Sequence, residues 1–148
     1  MKRFLVFIIV TSLFAFTAGC EDDEQSSEAM CEMFEECELQ DYDACLVDRG
    51  SLALSDECKD EIFAASCEDH ALYNPPYMDT CFEPCTIQSI DCVGAQLHYC
   101  TGTHLMKYEC ASICYYQIGG VYSGVCGERG PNGEYSSNGG PVCWCHVD

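Results

Sequence analysis

The chain has 148 residues, with 25 acidic residues against six lysines and arginines, a formal net charge of −19 at pH 7, and fifteen cysteines. Such a surface repels DNA, RNA and anionic headgroups within a Debye length of about 10 Å at 0.1 M salt, which excludes a nucleic-acid role. An odd number of cysteines leaves one thiol without an intramolecular partner in an oxidising compartment.

The first element in chain order reads as an export signal. Lys2 and Arg3 give it a positive start, residues 4–16 an uncharged apolar run, and Thr17, Ala18 and Gly19 a small-residue cleavage site. As a helix, residues 4–19 span about 24 Å at roughly 1.5 Å per residue, short of a bilayer core of about 30 Å, so the segment is a poor permanent span. Ala18-Gly19-Cys20, followed at once by Glu21-Asp22-Asp23-Glu24, resembles the lipobox of a bacterial lipoprotein leader. That resemblance implies that Cys20 receives diacylglyceryl and becomes the mature N-terminus. Thr17 stands where the family usually has Leu, and with Gly19 it also fits the ordinary signal peptidase, whose product would be a soluble secreted protein. With Cys20 taken up by lipid, fourteen cysteines remain, enough for seven disulfides. Only Arg49, Lys59, Lys107 and Arg129 then balance the 25 carboxylates, a mature net charge of −21, and 20 of those carboxylates lie in residues 21–84. Residues 20–27 form an acidic tether.

Residues 28–84 read as a helical cysteine-rich domain. Ser27 is a candidate cap for a helix carrying Met30, Cys31, Phe34 and Cys37 on one stripe. Asp41 caps a second helix with Tyr42, Cys45 and Leu46 inward, closed by Gly50 as a left-handed C-cap. Ser55 caps a third with Cys58, Ile62 and Ala65 on one face and Cys67 close by. Asn74-Pro75-Pro76 then interrupts any helix. A unit of roughly 60 residues buries little apolar surface, and disulfides worth typically 2–4 kcal/mol each make up the deficit. The expectation is a small cysteine-stapled helical bundle. Its six cysteines allow fifteen pairings. For antiparallel first and third helices, Cys31 pairs with Cys67 and Cys37 with Cys58, leaving Cys45 for Cys81.

Residues 85–148 differ in kind. Residues 90–93, 96–100 and 105–108 favour strands and are separated by Gly94 and by Thr101-Gly102-Thr103, which predicts a small meander. Residues 109–118 read as a helix closed by Gly119-Gly120, and 121–126 and 141–147 as two strands joined by a long loop. Cys110 and Cys114 share one helix face with a rise of about 6 Å between them, and Cys143 and Cys145 share one strand face about 6.6 Å apart. The matching separations allow two side-by-side bridges, Cys110 to Cys143 and Cys114 to Cys145. Gly124 shares a strand face with Cys126, where its missing side chain would let the helix sit close.

Cys-x-x-x-Cys, Gly-x-Cys and Cys-x-Cys in this order resemble the cysteine-stabilised αβ fold, and residues 100–145 are similar to the defensins of fungi and invertebrates. The resemblance covers about a third of the chain and implies a further bridge between Cys100 and Cys126. The loop 127–140 is much longer than the family's hairpin, and Cys85 and Cys92 are additional. These two are paired with each other here, with Cys92 to Cys100 as the main competing bridge. The fold class expected overall is a small disulfide-rich α+β protein, a stapled helical bundle followed by a cysteine-stabilised αβ/β-hairpin domain.

Function is less constrained. Cys143-Trp144-Cys145-His146, with His98 and His104, has zinc-ligand chemistry, but export oxidises the thiols and removes the best donors, so no metal or other cofactor is expected. Asp41, Asp43 and the run 21–24 lack the further oxygens and glycine of an EF-hand loop. No nucleophile elbow, zinc-protease helix or phosphate loop is present, so catalysis is not expected. Tyr115, Tyr116, Tyr122, Tyr135 and Trp144, and the loop 127–140, are candidate contact surfaces for a protein or cell-surface partner. The reading that follows is an extracytoplasmic lipoprotein, held to the membrane by its N-terminal lipid, that acts as a binding or structural module. The alternative is a soluble defensin-like toxin or antimicrobial, against which the −3 charge of residues 85–148 stands.

Overall fold

A computed structural model of the protein describes residues 26–147. The export signal, Cys20 and the tether as far as residue 25 lie outside the described residues. Within them, short helices fill the first half and antiparallel strands the second. Helix α1 (Ser27–Glu36) is capped by Ser26, whose side chain accepts from the Ala29 amide at 3.1 Å. Ser27, expected as the cap, is the first helical residue, and its hydroxyl donates to the Gly50 carbonyl at 3.0 Å. Met30, Cys31 and Phe34 are buried on one stripe, as helical periodicity requires. Helix α2 (Tyr42–Arg49) is capped by Asp41 and α3 (Asp56–Ala64) by Ser55.

Gly50 departs from the left-handed conformation expected of it, with φ −59° and ψ −18°. Its need for glycine is steric. A Cβ there would stand 2.5 Å from the Leu46 carbonyl oxygen and 3.0 Å from the Tyr116 ring. Beyond α3 the chain restarts at Ser66, which forms a reciprocal capping box with Asp69 and opens the single turn α4 (Cys67–His70). Another short turn, α5 (Met78–Cys81), follows Asn74-Pro75-Pro76.

The second half is built on a four-stranded antiparallel sheet in the order β1-β4-β3-β2, with β1 (Glu83–Pro84), β2 (Ser89–Val93), β3 (Gln96–Cys100) and β4 (His104–Glu109). Helix α6 (Cys110–Ile113) continues as a π-helical turn (Cys114–Ile118), and β5 (Val121–Gly127) pairs with β6 (Val142–His146) as a separate ribbon. The β5–β6 register jumps between Tyr122↔Cys145 and Cys126↔Cys143, a bulge in which Gly124 adopts φ 84°. Nothing lies within 4 Å of where its Cβ would be. Backbone conformation therefore selects the glycine, and the close helix approach expected there is absent.

Seven disulfides join all fourteen described cysteines. Cys110 is bonded to Cys143 and Cys114 to Cys145, the arrangement that the helix and strand spacings allow. The other pairings differ from expectation. In the first half the bonds are Cys31–Cys45, Cys37–Cys67 and Cys58–Cys81, in place of Cys31–Cys67, Cys37–Cys58 and Cys45–Cys81. The short connection after α1, with Glu38 at φ 57°, folds α2 back as its neighbour, so Cys31 meets Cys45 rather than a residue beyond α3.

In the second half the bonds are Cys85–Cys100 and Cys92–Cys126, which replace Cys85–Cys92 and Cys100–Cys126. Strand pleating explains the change. Cys92 is opposite Leu97 and Ser89 opposite Cys100, so Cys92 and Cys100 point to opposite faces of the sheet. The same parity rules out Cys92–Cys100. Cys85, whose amide donates to Thr103 at 2.8 Å, lies beside the β3–β4 turn and thus beside Cys100, whereas β2 carries Cys92 to the sheet's other end.

The outer edge of β4 is shared between the halves. At one end it pairs with β1, and at the other Leu52 bridges Tyr108, with the Ala53 amide donating to Lys107 and the Glu109 amide to Ser51, each at 2.8 Å. Tyr116, on the π-helical turn, donates to the Glu28 carboxylate and packs on Gly50, and Gln117 donates to the Val47 carbonyl at 3.0 Å. The halves are therefore expected to unfold as one unit: Trp144 fluorescence and the far-ultraviolet helix signal should share one denaturation midpoint, and two separate midpoints would mean independent domains. Replacing Cys110 and Cys143 together by Ser opens a loop with a sequence separation of 33 and should cost about 4 kcal/mol; the same change at Cys31 and Cys45, separated by 14, should cost about 3 kcal/mol by guanidinium denaturation.

Candidate functional site

A concavity lies where the helices, the turn after α4 and β4 meet. It encloses about 400 Å³, within the range of small-molecule sites. Met30 and Phe34 of α1, Ile62 of α3, Phe82 at the end of α5 and Met106 of β4 supply apolar wall. Arg49 at the end of α2, His70 at the end of α4 and Tyr77 before α5 supply polar groups, together with Gln40, Asp48 and Tyr73.

Local structure holds each of these groups in place. The Cys37–Cys67 bond ties the start of α4 to the end of α1, and the capping box fixes the turn, which sets the His70 ring edge-on to Phe34 at 5.0 Å between centroids. The Asn74-Pro75-Pro76 turn then returns the chain so that the Tyr77 hydroxyl meets His70 Nδ1 at 2.9 Å. His70 is only 8% exposed, and its buried Nε2 has no hydrogen-bond partner among the described residues. A buried polar atom in that state carries an uncompensated desolvation penalty. Burial lowers the His70 pKa from its ordinary value; the nearby Arg49 guanidinium acts in the same sense, and Asp69 opposes them. Burial likewise raises the Tyr77 phenol. At neutral pH both are uncharged.

Arg49 stacks on the other side of this cluster, its Cζ 4.7 Å from the Phe34 ring centroid. Its Nε donates to Gln40 Oε1 at 3.1 Å, while Gln40 Nε2 donates to Asp48 Oδ2 at 2.7 Å. The Gln40 amide thus stands between the guanidinium and the carboxylate beside it in sequence.

The residues singled out by sequence are elsewhere. Cys20 lies outside the described residues. His98 Nε2 is 3.1 Å from Gln96 Oε1, His104 is 3.4 Å from Asp79, and His146 ends β6, so the three histidines sit on separate strands with separate neighbours. Among the described residues, the ligand-type side chains that converge are Cys110, Cys126 and Cys143, and all three sulfurs are spent in disulfides. Asp41 caps α2. The aromatic residues are dispersed: Tyr116 serves the contact between halves, Trp144 donates to the Gly127 carbonyl at 3.1 Å, and Tyr135 is covered by Arg129 at 4.5 Å. Within the loop 127–140, an Arg129↔Tyr135 bridge and bonds from Gly130 to Glu134 and from Ser136 to Glu128 form a closed excursion.

Sequence reasoning missed the cavity. One usable signal was Arg49 itself, one of two basic residues among the 20 carboxylates of residues 21–84. The other was a histidine and a tyrosine flanking a double-proline turn. Compared with known protein families, with curated proteins and with solved structures, the chain matches none.

His70 links the site to stability. The unfolded chain takes up a proton near pH 6.5 that the folded ring resists, so the contribution of His70 is present above that pH and is lost as pH falls through it. The Tm advantage of the native chain over His70→Gln should therefore shrink between about pH 7.5 and about pH 5, the surface carboxylates being common to both proteins. An advantage that stays constant over this interval would show that folding does not disfavour the imidazolium.

Proposed function

We propose that the protein is an exported lipoprotein, anchored to the cell envelope through Cys20 and facing the periplasm or the cell exterior, whose disulfide-rich body is a binding module with no catalytic role. The observation that carries this reading is cysteine use. All fourteen cysteines of the described residues are paired, and Cys20, next to the small residues Ala18 and Gly19, is the one left over. Seven disulfides in 148 residues suit an oxidising compartment. Among the described residues no helix is long and apolar enough to cross a membrane, so attachment in this reading falls to the lipid. The ligand site is the cavity bounded by Arg49, His70 and Tyr77, because it combines apolar walls with a few polar groups.

A soluble defensin-like toxin is the competing reading, favoured by the helix turn stapled twice to β6. In this chain the bridge to Cys126 comes from Cys92 rather than Cys100, which shifts the resemblance onto a different strand. The intact mass of the unreduced protein separates the two readings. A membrane-derived chain beginning at Cys20, heavier by its acyl groups and lighter by fourteen hydrogens, is the expected result. A soluble unacylated chain would overturn the anchor and leave Cys20 as a thiol open to dimer formation.

A further inference from the structure

The Arg49 guanidinium lines the cavity. With 25 carboxylates against six basic side chains, an arginine has every opportunity to pair with an acid. Among the described residues its contacts are instead the Gln40 amide and the Phe34 ring face, neither of which is a carboxylate. Asp48 is held off by the same Gln40, and Asp69 is taken up by the Ser66 amide and hydroxyl at 3.2 and 2.7 Å. Among the described residues no hydrogen bond or ion pair occupies the terminal nitrogens of Arg49, at a cavity whose remaining walls are mostly thioether, aromatic and aliphatic carbon with Gln40, Asp48, His70, Tyr73 and Tyr77 as the other polar lining. His70, edge-on to the same Phe34 ring, adds a buried Nε2 with no hydrogen-bond partner among those residues.

Building on the reading of this cavity as the ligand site, we infer that it takes a small apolar molecule ending in a single carboxylate, with the carboxylate on Arg49 and the apolar body against Met30, Ile62, Phe82 and Met106. The planar fork of a guanidinium matches two carboxylate oxygens. One arginine beside Asp48 in a strongly acidic protein accommodates one negative charge and opposes polyanions. The volume of about 400 Å³ equals that of roughly thirteen waters at about 30 Å³ each, which fits a chain of about a dozen non-hydrogen atoms.

Titration calorimetry of the oxidised protein with decanoate and with 1-decanol, a neutral probe of similar length, tests the inference. Decanoate should bind about tenfold more tightly than the alcohol. Arg49→Met should remove that advantage and leave the alcohol unchanged, and Arg49→Lys, which keeps the charge without the fork, should retain part of it. Thermal melts of each variant establish that it is folded. Equal binding of acid and alcohol, unaffected by either substitution, overturns the carboxylate preference while leaving the cavity as a ligand site. Binding of neither probe at millimolar concentration overturns both readings.

Discussion

The structure depends on sulfur where larger proteins depend on aliphatic packing. Five of its six largest fully buried side chains are cysteines, Cys31, Cys45, Cys58, Cys110 and Cys114, and the remaining one is Ser51. Each of those cysteines is half of a bridge between two different elements: α1 to α2, α3 to α5, and the α6 turn twice to β6. Few apolar residues join them at the centre, chiefly Met30, Phe34, Ile62 and Tyr77. Helices of four residues, such as α4 and α5, have no stability of their own. They persist because a disulfide holds one end and a cap or turn holds the other.

The stapling also explains how a cavity coexists with so small an interior. A wall built from separate short elements would close if its parts were free to settle onto one another. Here α4 is fixed to the end of α1, α5 to α3, and β1 to the edge of β4. The enclosed space survives between anchored walls, and His70 keeps a position that leaves one of its nitrogens unmatched. The residue stays neutral in that setting because charging it would add a second positive group beside Arg49 in a poorly hydrated place.

Local grammar was legible in the sequence, and the long-range pairings were not. Caps at Asp41 and Ser55, strands at 96–100, and the match between a four-residue helical and a two-residue strand spacing all follow from periodicity and short-range chemistry. The ribbon bridges were accessible for that reason: two pairs of cysteines must satisfy one geometry together. The bonds of Cys31, Cys37 and Cys58 instead depend on which helix follows which in space, and the left-handed Glu38 that decides it has no glycine or asparagine signature. Likewise the choice between Cys92 and Cys100 rests on strand register, and a shift of one residue reverses the outcome. The cavity was hidden for a third reason. Arg49, His70 and Tyr77 come from three elements, and only their assembly brings their polar groups to one cavity.

An interior made of cystine has a temporal consequence. Where glutathione keeps thiols reduced, the buried residues of this chain are small, weakly apolar side chains with no bonds between them, and the polypeptide stays extended. Folding into this arrangement needs an oxidant for its seven bonds, so the redox potential of the surroundings sets the moment at which the fold comes into being.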